Sequence, residues 1–202
     1  MSKAFQMEQN GKLFQLDGKK KDFIFGTTSV FPVEIPGAER TVMFAHQAND
    51  ADCGPCLVVN ACNALGAFGY DSPISVRVEA NNLRAQNRQV HIEDGGWLFV
   101  NDVVLAMQQK GLLVEQYSIK SPAMEAQARD QLSTIQLSET PFVAFSGVGR
   151  HFRGIYWNGQ SYFLLDSMLT NIPQARIGDI ESMIRSGKTS NRDETFAIAT
   201  LR

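Results

Sequence analysis

Between residues 97 and 110 the apolar side chains Val100, Val103, Val104 and Met107 recur at the i, i+3, i+4, i+7 spacing of one helix face, and Gly111 closes the run. The spacing predicts a helix over 97–110. A stretch rich in Ala, Val and Leu predicts another over 54–68, with Pro55 tolerated in its first turn. Weaker patterns predict helices over 75–86 and 123–137 and a short one near 177–186. Strand patterns lie on either side of these. KLFQL and DFIFG flank an Asp17-Gly18 turn, and TVMFA follows the Pro- and Gly-containing FPVEIPGAER. Then come LLVEQYSI over 112–119, the run PFVAFSGV, HFRGIYW and QSYFLLD within 141–166, and a final ETFAIATL. Helices precede a mostly antiparallel sheet, so the expected class is α+β. Residues 1–45 read as a β-rich extension, and residues 46–202 as the main domain.

Asn158-Gly159 stands between two aromatic-rich apolar runs, a strong short-range hairpin signal. A two-residue loop would pair Trp157 with Gln160. Stepping outward along the strands would then bring His151 directly opposite Asp166. Side chains directly opposed in an antiparallel pair have Cβ atoms about 5 Å apart, which suits a carboxylate and an imidazole. A carboxylate on one ring nitrogen fixes the tautomer and steadies the imidazolium, leaving the other nitrogen for a nucleophile.

Cys53, in the string NDADCGPCLVVN, supplies that nucleophile. It stands where the helix over 54–68 begins, and unpaired N–H groups and the macrodipole there favour a thiolate. Gly54 leaves the backbone beside the sulfur without a Cβ. Gln47 lies six residues upstream, and its amide can join the Cys53 N–H as an oxyanion hole. Gln47, Cys53, His151 and Asp166 together make an acyl-transfer set. His46 is an alternative base by its position next to Gln47.

Charge and composition narrow the classes. The chain has 202 residues, a net charge of −2 and one basic run, Lys19–Lys20–Lys21, so it carries no electrostatic footprint for nucleic acid. No apolar run approaches the ~18 residues of a membrane span, and MSKAFQMEQNGKLF lacks the apolar core of a signal peptide. Three cysteines, Cys53, Cys56 and Cys62, make a poor disulfide framework. A reducing cytosol is expected, reached directly or by export of the folded chain as an effector. No metal-ligand spacing and no cofactor signature is present. CGPC also matches the dithiol of thioredoxins, but the residues before it, HQANDAD, are polar and turn-like where that fold needs a central strand. Asp52 adds a negative charge that opposes a thiolate unless it caps the helix and points away. Cys56 and Cys62 read as packed helix residues.

The order Gln, Cys, His, Asp resembles that of papain-like cysteine peptidases, in two branches. Double-glycine leader peptidases carry a Gln six residues before a DCG-type cysteine and a later His followed by Asp, matched here by Gln47, Cys53, His151 and Asp166. Josephin-type deubiquitinases are similar from about residue 47 onward. EDGGWLFVNDVVLAMQQKGLLVEQYSI, RHFRGIYWNGQSYFLLDSMLTNIP and ETFAIATL look like that family's helix and strand, catalytic hairpin and closing strand. Asp166 stands where Josephins usually have Asn, and their Gln lies five residues before the Cys. The resemblance implies a papain-like fold and a Cys53–His151–Asp166 triad with Gln47 at the oxyanion. It also implies cleavage after Gly-Gly, in a leader peptide or at the tail of ubiquitin or a ubiquitin-like protein. Without an exporter segment in the sequence, the expectation leans to a deubiquitinase. An acyltransferase or deamidase would use the same residues.

Overall fold

The computed structural model describes residues 6–9, 12–15, 29–34, 41–48, 50–67, 72–92, 98–118, 126, 127, 130, 142–147, 151–169, 172–175 and 195–201. Two hairpins come first: β1 (Gln6–Gln9) with β2 (Lys12–Gln15), and β3 (Ser29–Glu34) with β4 (Thr41–His46). A 3-10 turn, Asp50–Asp52, leads into α1 (Cys53–Leu65), followed by α2 (Pro73–Gln86) and α3 (Val100–Gln109). The sheet strands are β5 (Leu112–Ser118), β6 (Phe142–Gly147), β7 (His151–Trp157), β8 (Tyr162–Leu165), β9 (Gln174–Ala175) and β10 (Thr195–Leu201). They form one six-stranded sheet in the order β5-β10-β6-β7-β8-β9, antiparallel throughout. The class is α+β, with the cysteine-bearing helix packed on an antiparallel sheet that carries His151.

α1 is the centre of the molecule. All its residues except Asn63 are buried, and it packs against β4, β7, α2 and α3. A helix apolar on all sides belongs in such a place. It carries one polar side chain into the core, Asn60, which accepts from Ala45 N at 2.6 Å and donates to Ala45 O at 3.2 Å. That fork satisfies the backbone of β4 where, among the described residues, no further strand covers it. The helix stops at Leu65, short of the expected 68. Gly66 takes the left-handed conformation (φ 73°), and the Ala67 N–H turns back to Cys62 O at 2.9 Å.

α2 and α3 begin where their caps place them. Ser72 Oγ accepts from Ser75 N at 3.3 Å, ahead of Pro73 in the first helical position. Phe99 is extended (ψ 165°), so α3 starts at Val100 and not at 97, and Asp102 Oδ2 accepts from Phe99 N at 2.8 Å. The same carboxylate takes a two-pronged bond from Arg84 of α2, with Nε and the terminal nitrogen both at 2.8 Å.

The N-terminal strands differ from expectation. The Pro- and Gly-containing FPVEIPGAER, to which the pattern assigns no strand, contributes its first residues to β3. Pro32 is tolerated because β3 pairs only with β4 among the described residues. β2 pairs with β1, and only residues 10 and 11 separate the Gln9–Lys12 pair. The expected strand DFIFG, the Asp17-Gly18 turn, Lys19–Lys21, Trp97, most of the helix over 123–137 and the helix near 177–186 fall outside the described residues. Phe31, Phe44 and Ala45 belong to the same buried cluster as α1, so the boundary drawn at 45/46 runs through a hairpin that helps form this core.

The β7–β8 register also corrects the sequence reading. Trp157 pairs with Tyr162 and Gly154 with Leu165, which leaves a four-residue loop over 158–161 instead of two. Asn158 closes that loop with its own side chain, Oδ1 accepting from Gln160 N and Ser161 N, both at 2.9 Å, while Gly159 takes φ 101°. A shift of two residues keeps every side chain on its expected face. Continued one step, this register sets Arg153, and not His151, across from Asp166.

Candidate active site

β7 begins with His151, and Asp166 follows the last residue of β8. Although the pair is diagonal, long side chains bridge such positions: His151 Nε2 lies 2.7 Å from Asp166 Oδ1. Oδ1 also accepts from Met168 N at 3.0 Å, and Arg153 Nε stands 3.5 Å from Oδ2. The other partner of His151 is the side chain of Cys53, to which it is hydrogen-bonded. With Nε2 held by the carboxylate, Nδ1 is the ring nitrogen left to serve the sulfur. Sulfur, ring and carboxylate thus stand in sequence across the junction of α1 and the sheet.

Charge stabilisation follows from the same contacts. Burial pulls the His151 ring down, but its hydrogen bonds to Asp166 and Cys53, with the nearby negative charge, outweigh that and raise its pKa from 6.5 to about 9. Burial alone would raise the Asp166 carboxyl. The bonds from His151 and Met168, together with the positive charges of His151 and Arg153, hold it below the ordinary carboxylate range. An ionised Asp166 beside a ring of raised basicity makes Nε2 a donor and favours the imidazolium.

Gln47 follows β4 directly and is buried. Its backbone N–H donates to Ser167 O at 3.1 Å, and Ser167 Oγ donates to its Oε1 at 2.7 Å. The amide oxygen is therefore tied to the residue next to Asp166, which sets the orientation of the amide.

Cys53 itself is delivered by the turn Asp50–Asp52. Asp52 makes no side-chain cap on α1; its Oδ1 is 2.8 Å from a terminal nitrogen of Arg77 on α2. Gly54 accounts for the tight packing beneath. A Cβ there would lie 3.3 Å from Leu98 Cβ and 3.4 Å from both Phe152 Cδ2 and Val103 Cγ2. Cys56 and Cys62 are fully buried. Burial, with the negative charges of Asp52 and Cys53, pushes the Cys56 thiol well up, only partly offset by Arg77 and a hydrogen bond with Ser167. Burial pushes Cys62 to about 12. None of the three cysteines is in a disulfide.

The structure brings Cys53, His151 and Asp166 together, with Gln47 linked to them through Ser167. His46 ends β4, paired with Ser29. Three residues escaped the sequence reading: Arg153, Ser167 and Arg77. Arg153 is two positions along β7 from His151, on the same face, and Ser167 adjoins Asp166, so a reader with the right register could have found both. Arg77 had no signal, because only the packing of α2 on α1 brings it to Asp52. Among the described residues no group of three or more His, Cys, Asp or Glu side chains is arranged to hold a metal, and no helix is long and apolar enough to cross a membrane.

No family model matches the chain. None of the curated proteins compared with it shares enough sequence to match. Among solved structures, the fold is similar to the crystal structure of a double glycine motif protease from an AMS/PCAT transporter in complex with the leader peptide, at 14% identity and a TM-score of 0.48, over 85% of this chain and 98% of that one.

Proposed function

We propose that this protein is a cysteine peptidase that hydrolyses the bond following a Gly-Gly pair, with Cys53 as nucleophile, His151 as acid–base and Asp166 as its orienting carboxylate. The observation that carries the reading is the single line of contacts from Cys53 through His151 to Asp166, with Nε2 and Oδ1 2.7 Å apart. Cys56 does not suit a dithiol exchange partner, since its thiol is buried and pushed up.

In this mechanism the proton of the Cys53 thiol passes to His151 Nδ1. The thiolate attacks the carbonyl carbon of the scissile bond. The resulting oxyanion is held by the Cys53 N–H and the Gln47 side-chain amide, donors aimed at charge that develops only in the transition state. The imidazolium then gives its proton to the leaving amine, the C–N bond breaks, and a thioester remains. Water, deprotonated by His151, attacks the thioester and restores the thiol. Asp166 stays ionised and keeps the ring in place.

Glycine at the two positions before the cut suits a site that grips extended backbone closely, since neither residue brings a Cβ. Of the two carriers of such a pair, a leader-type peptide comes first, being what the double-glycine protease named above binds. The ubiquitin tail rests on the sequence resemblance alone.

The test incubates the protein with a fluorogenic peptide carrying Gly-Gly before the reporter, with a leader-type peptide and with ubiquitin bearing a C-terminal electrophile. Cleavage after Gly-Gly that is lost in Cys53→Ala supports the proposal. Electrophile capture at Cys53 moves the substrate to ubiquitin-like proteins. Adding an amine acceptor and weighing the products separates hydrolysis from acyl transfer or deamidation. No cleavage of any of these, with Cys53 unlabelled, overturns the reading.

A further inference from the structure

Asp52 occupies an awkward place for the chemistry just proposed. It immediately precedes the nucleophile, is almost fully buried and does not cap α1. An uncompensated carboxylate one residue from the sulfur would oppose ionisation of the thiol. Arg77 answers it from another helix. One terminal nitrogen of its guanidinium lies 2.8 Å from Asp52 Oδ1 and 2.8 Å from Ala51 O. Both side chains are largely out of solvent, at 13% and 8% exposure, so the pair is only weakly screened. The two bonds fasten the two successive residues that lead into Cys53. Both charges are felt along the first turn of α1, since Asp52 raises the Cys56 thiol and Arg77 lowers it.

We propose that Arg77 is a positioning residue for Cys53: by binding Asp52 and the Ala51 carbonyl, it cancels the charge beside the nucleophile and fixes the turn that aims the sulfur at His151. This deepens the peptidase reading and rests on it. Among the described residues, the charged groups tied to the neighbourhood of Cys53 include Asp52 on its own turn, Arg77 on α2, and His151 on β7 with Asp166 and Arg153 behind it. Removing Arg77 leaves a net negative addition on the thiol's near side, while the His151 side is unchanged.

The experiment measures alkylation of Cys53 by iodoacetamide against pH, with the labelled peptide identified by mass, so no substrate is needed. Wild-type protein is expected to react near pH 6 far faster than an ordinary thiol. Arg77→Gln is expected to slow that reaction about tenfold, because the buried Asp52 charge beside the sulfur is then left uncompensated. The double variant Arg77→Gln/Asp52→Asn is expected to recover most of the rate, because the charge that Arg77 cancels is gone. Arg77→Lys is expected to fall between, as the shorter side chain keeps the positive charge but does not bring it to the same point between Asp52 Oδ1 and Ala51 O. A wild-type profile in Arg77→Gln, or a slow Arg77→Gln that Asp52→Asn does not restore, overturns the proposal. The second result means that Arg77 matters only to folding. A wild-type Cys53 no more reactive than a free thiol overturns the thiolate reading, and the role of Arg77 with it.

Discussion

Ser167 donates its hydroxyl to Gln47 Oε1 at 2.7 Å across 120 residues of chain, and the Gln47 N–H returns a bond to the Ser167 carbonyl at 3.1 Å. Asp166, one residue earlier, holds His151. A single dipeptide at the end of β8 therefore orients both the proposed base and the proposed oxyanion donor, which approach it from β7 and β4. With Oε1 engaged, the NH2 end of the amide is the end left to donate.

Truncation of the donor tests that arrangement. Gln47→Ala is expected to lower kcat by about 10²-fold with KM little changed, the usual cost of one oxyanion-hole donor. Ser167→Ala is expected to cost about tenfold, because Gln47 remains but loses its anchor. The two losses are expected to be strongly non-additive, since Ser167 acts through Gln47. Steady-state kinetics on the three variants decide it; additive losses would show that Ser167 serves something else.

The proton on His151 gives a stability prediction with a definite sign. Its pKa rises from 6.5 to about 9 in the folded protein, so the folded state holds that proton more tightly than the unfolded chain does. The resulting stabilisation is complete below about pH 6.5 and gone above about 9. Asp166, shifted down from 3.8, contributes the opposite slope: present above about pH 4 and lost as the medium becomes more acidic. Thermal unfolding is expected to show a plateau between these limits and a decline from near-neutral pH towards 9. His151→Gln should flatten the alkaline decline. Activity that needs the imidazolium is expected to fall on the same alkaline limb, and Asp166→Asn to move that limb to lower pH.

Gly54 shows how closely the nucleophile's helix is fitted. In Gly54→Ala the gain in helix propensity is about 1 kcal/mol. The added Cβ, however, meets Leu98 Cβ at 3.3 Å and the Phe152 and Val103 side chains at 3.4 Å, and overpacking of this kind costs about 1–3 kcal/mol. Leu98 Cβ sits on the backbone and the Phe152 ring edge is in the core, so neither yields freely. Net destabilisation of about 1 kcal/mol is expected in urea unfolding, with a larger loss for Gly54→Val. A stabilised Gly54→Ala would mean that the α3 side of the site gives way.

The sequence announced the meeting of His151 and Asp166, though by a route the structure does not follow. The Asn-Gly pair predicts a two-residue loop, whereas the Asn158 side chain bonds two backbone N–H groups and widens the turn to four. The contact survived because the slip was an even number of residues, which preserves the face. Composition and periodicity together placed α1, α2 and α3 to within a few residues. They had no means of showing the Asn60 fork onto Ala45 or the Arg77–Asp52 pair, since each joins elements by packing rather than by spacing. Pro32 hid β3, because proline argues against a strand unless the strand is known to lie at an edge.

The Arg84–Asp102 fork is another long-range pair of this kind, and it yields the plainest stability prediction. Asp102 is almost wholly buried, accepts two bonds from Arg84 at 2.8 Å and also accepts from the first N–H ahead of α3. Removing the carboxylate in Asp102→Ala strands a guanidinium only 12% exposed and uncaps the helix. Breaking a buried ion pair from one side costs about 3–5 kcal/mol, and the low end of that range is expected here because Arg84 keeps its bond to Val90 O at 3.0 Å and its place over the Phe99 ring. Replacing both partners, Arg84→Met with Asp102→Leu, is expected to recover much of the loss, because no charge is then left unpaired. Urea midpoints of the single and double variants measure this. A double variant no more stable than Asp102→Ala would assign the loss to the missing bond to Phe99 N, which neither leucine nor alanine can supply.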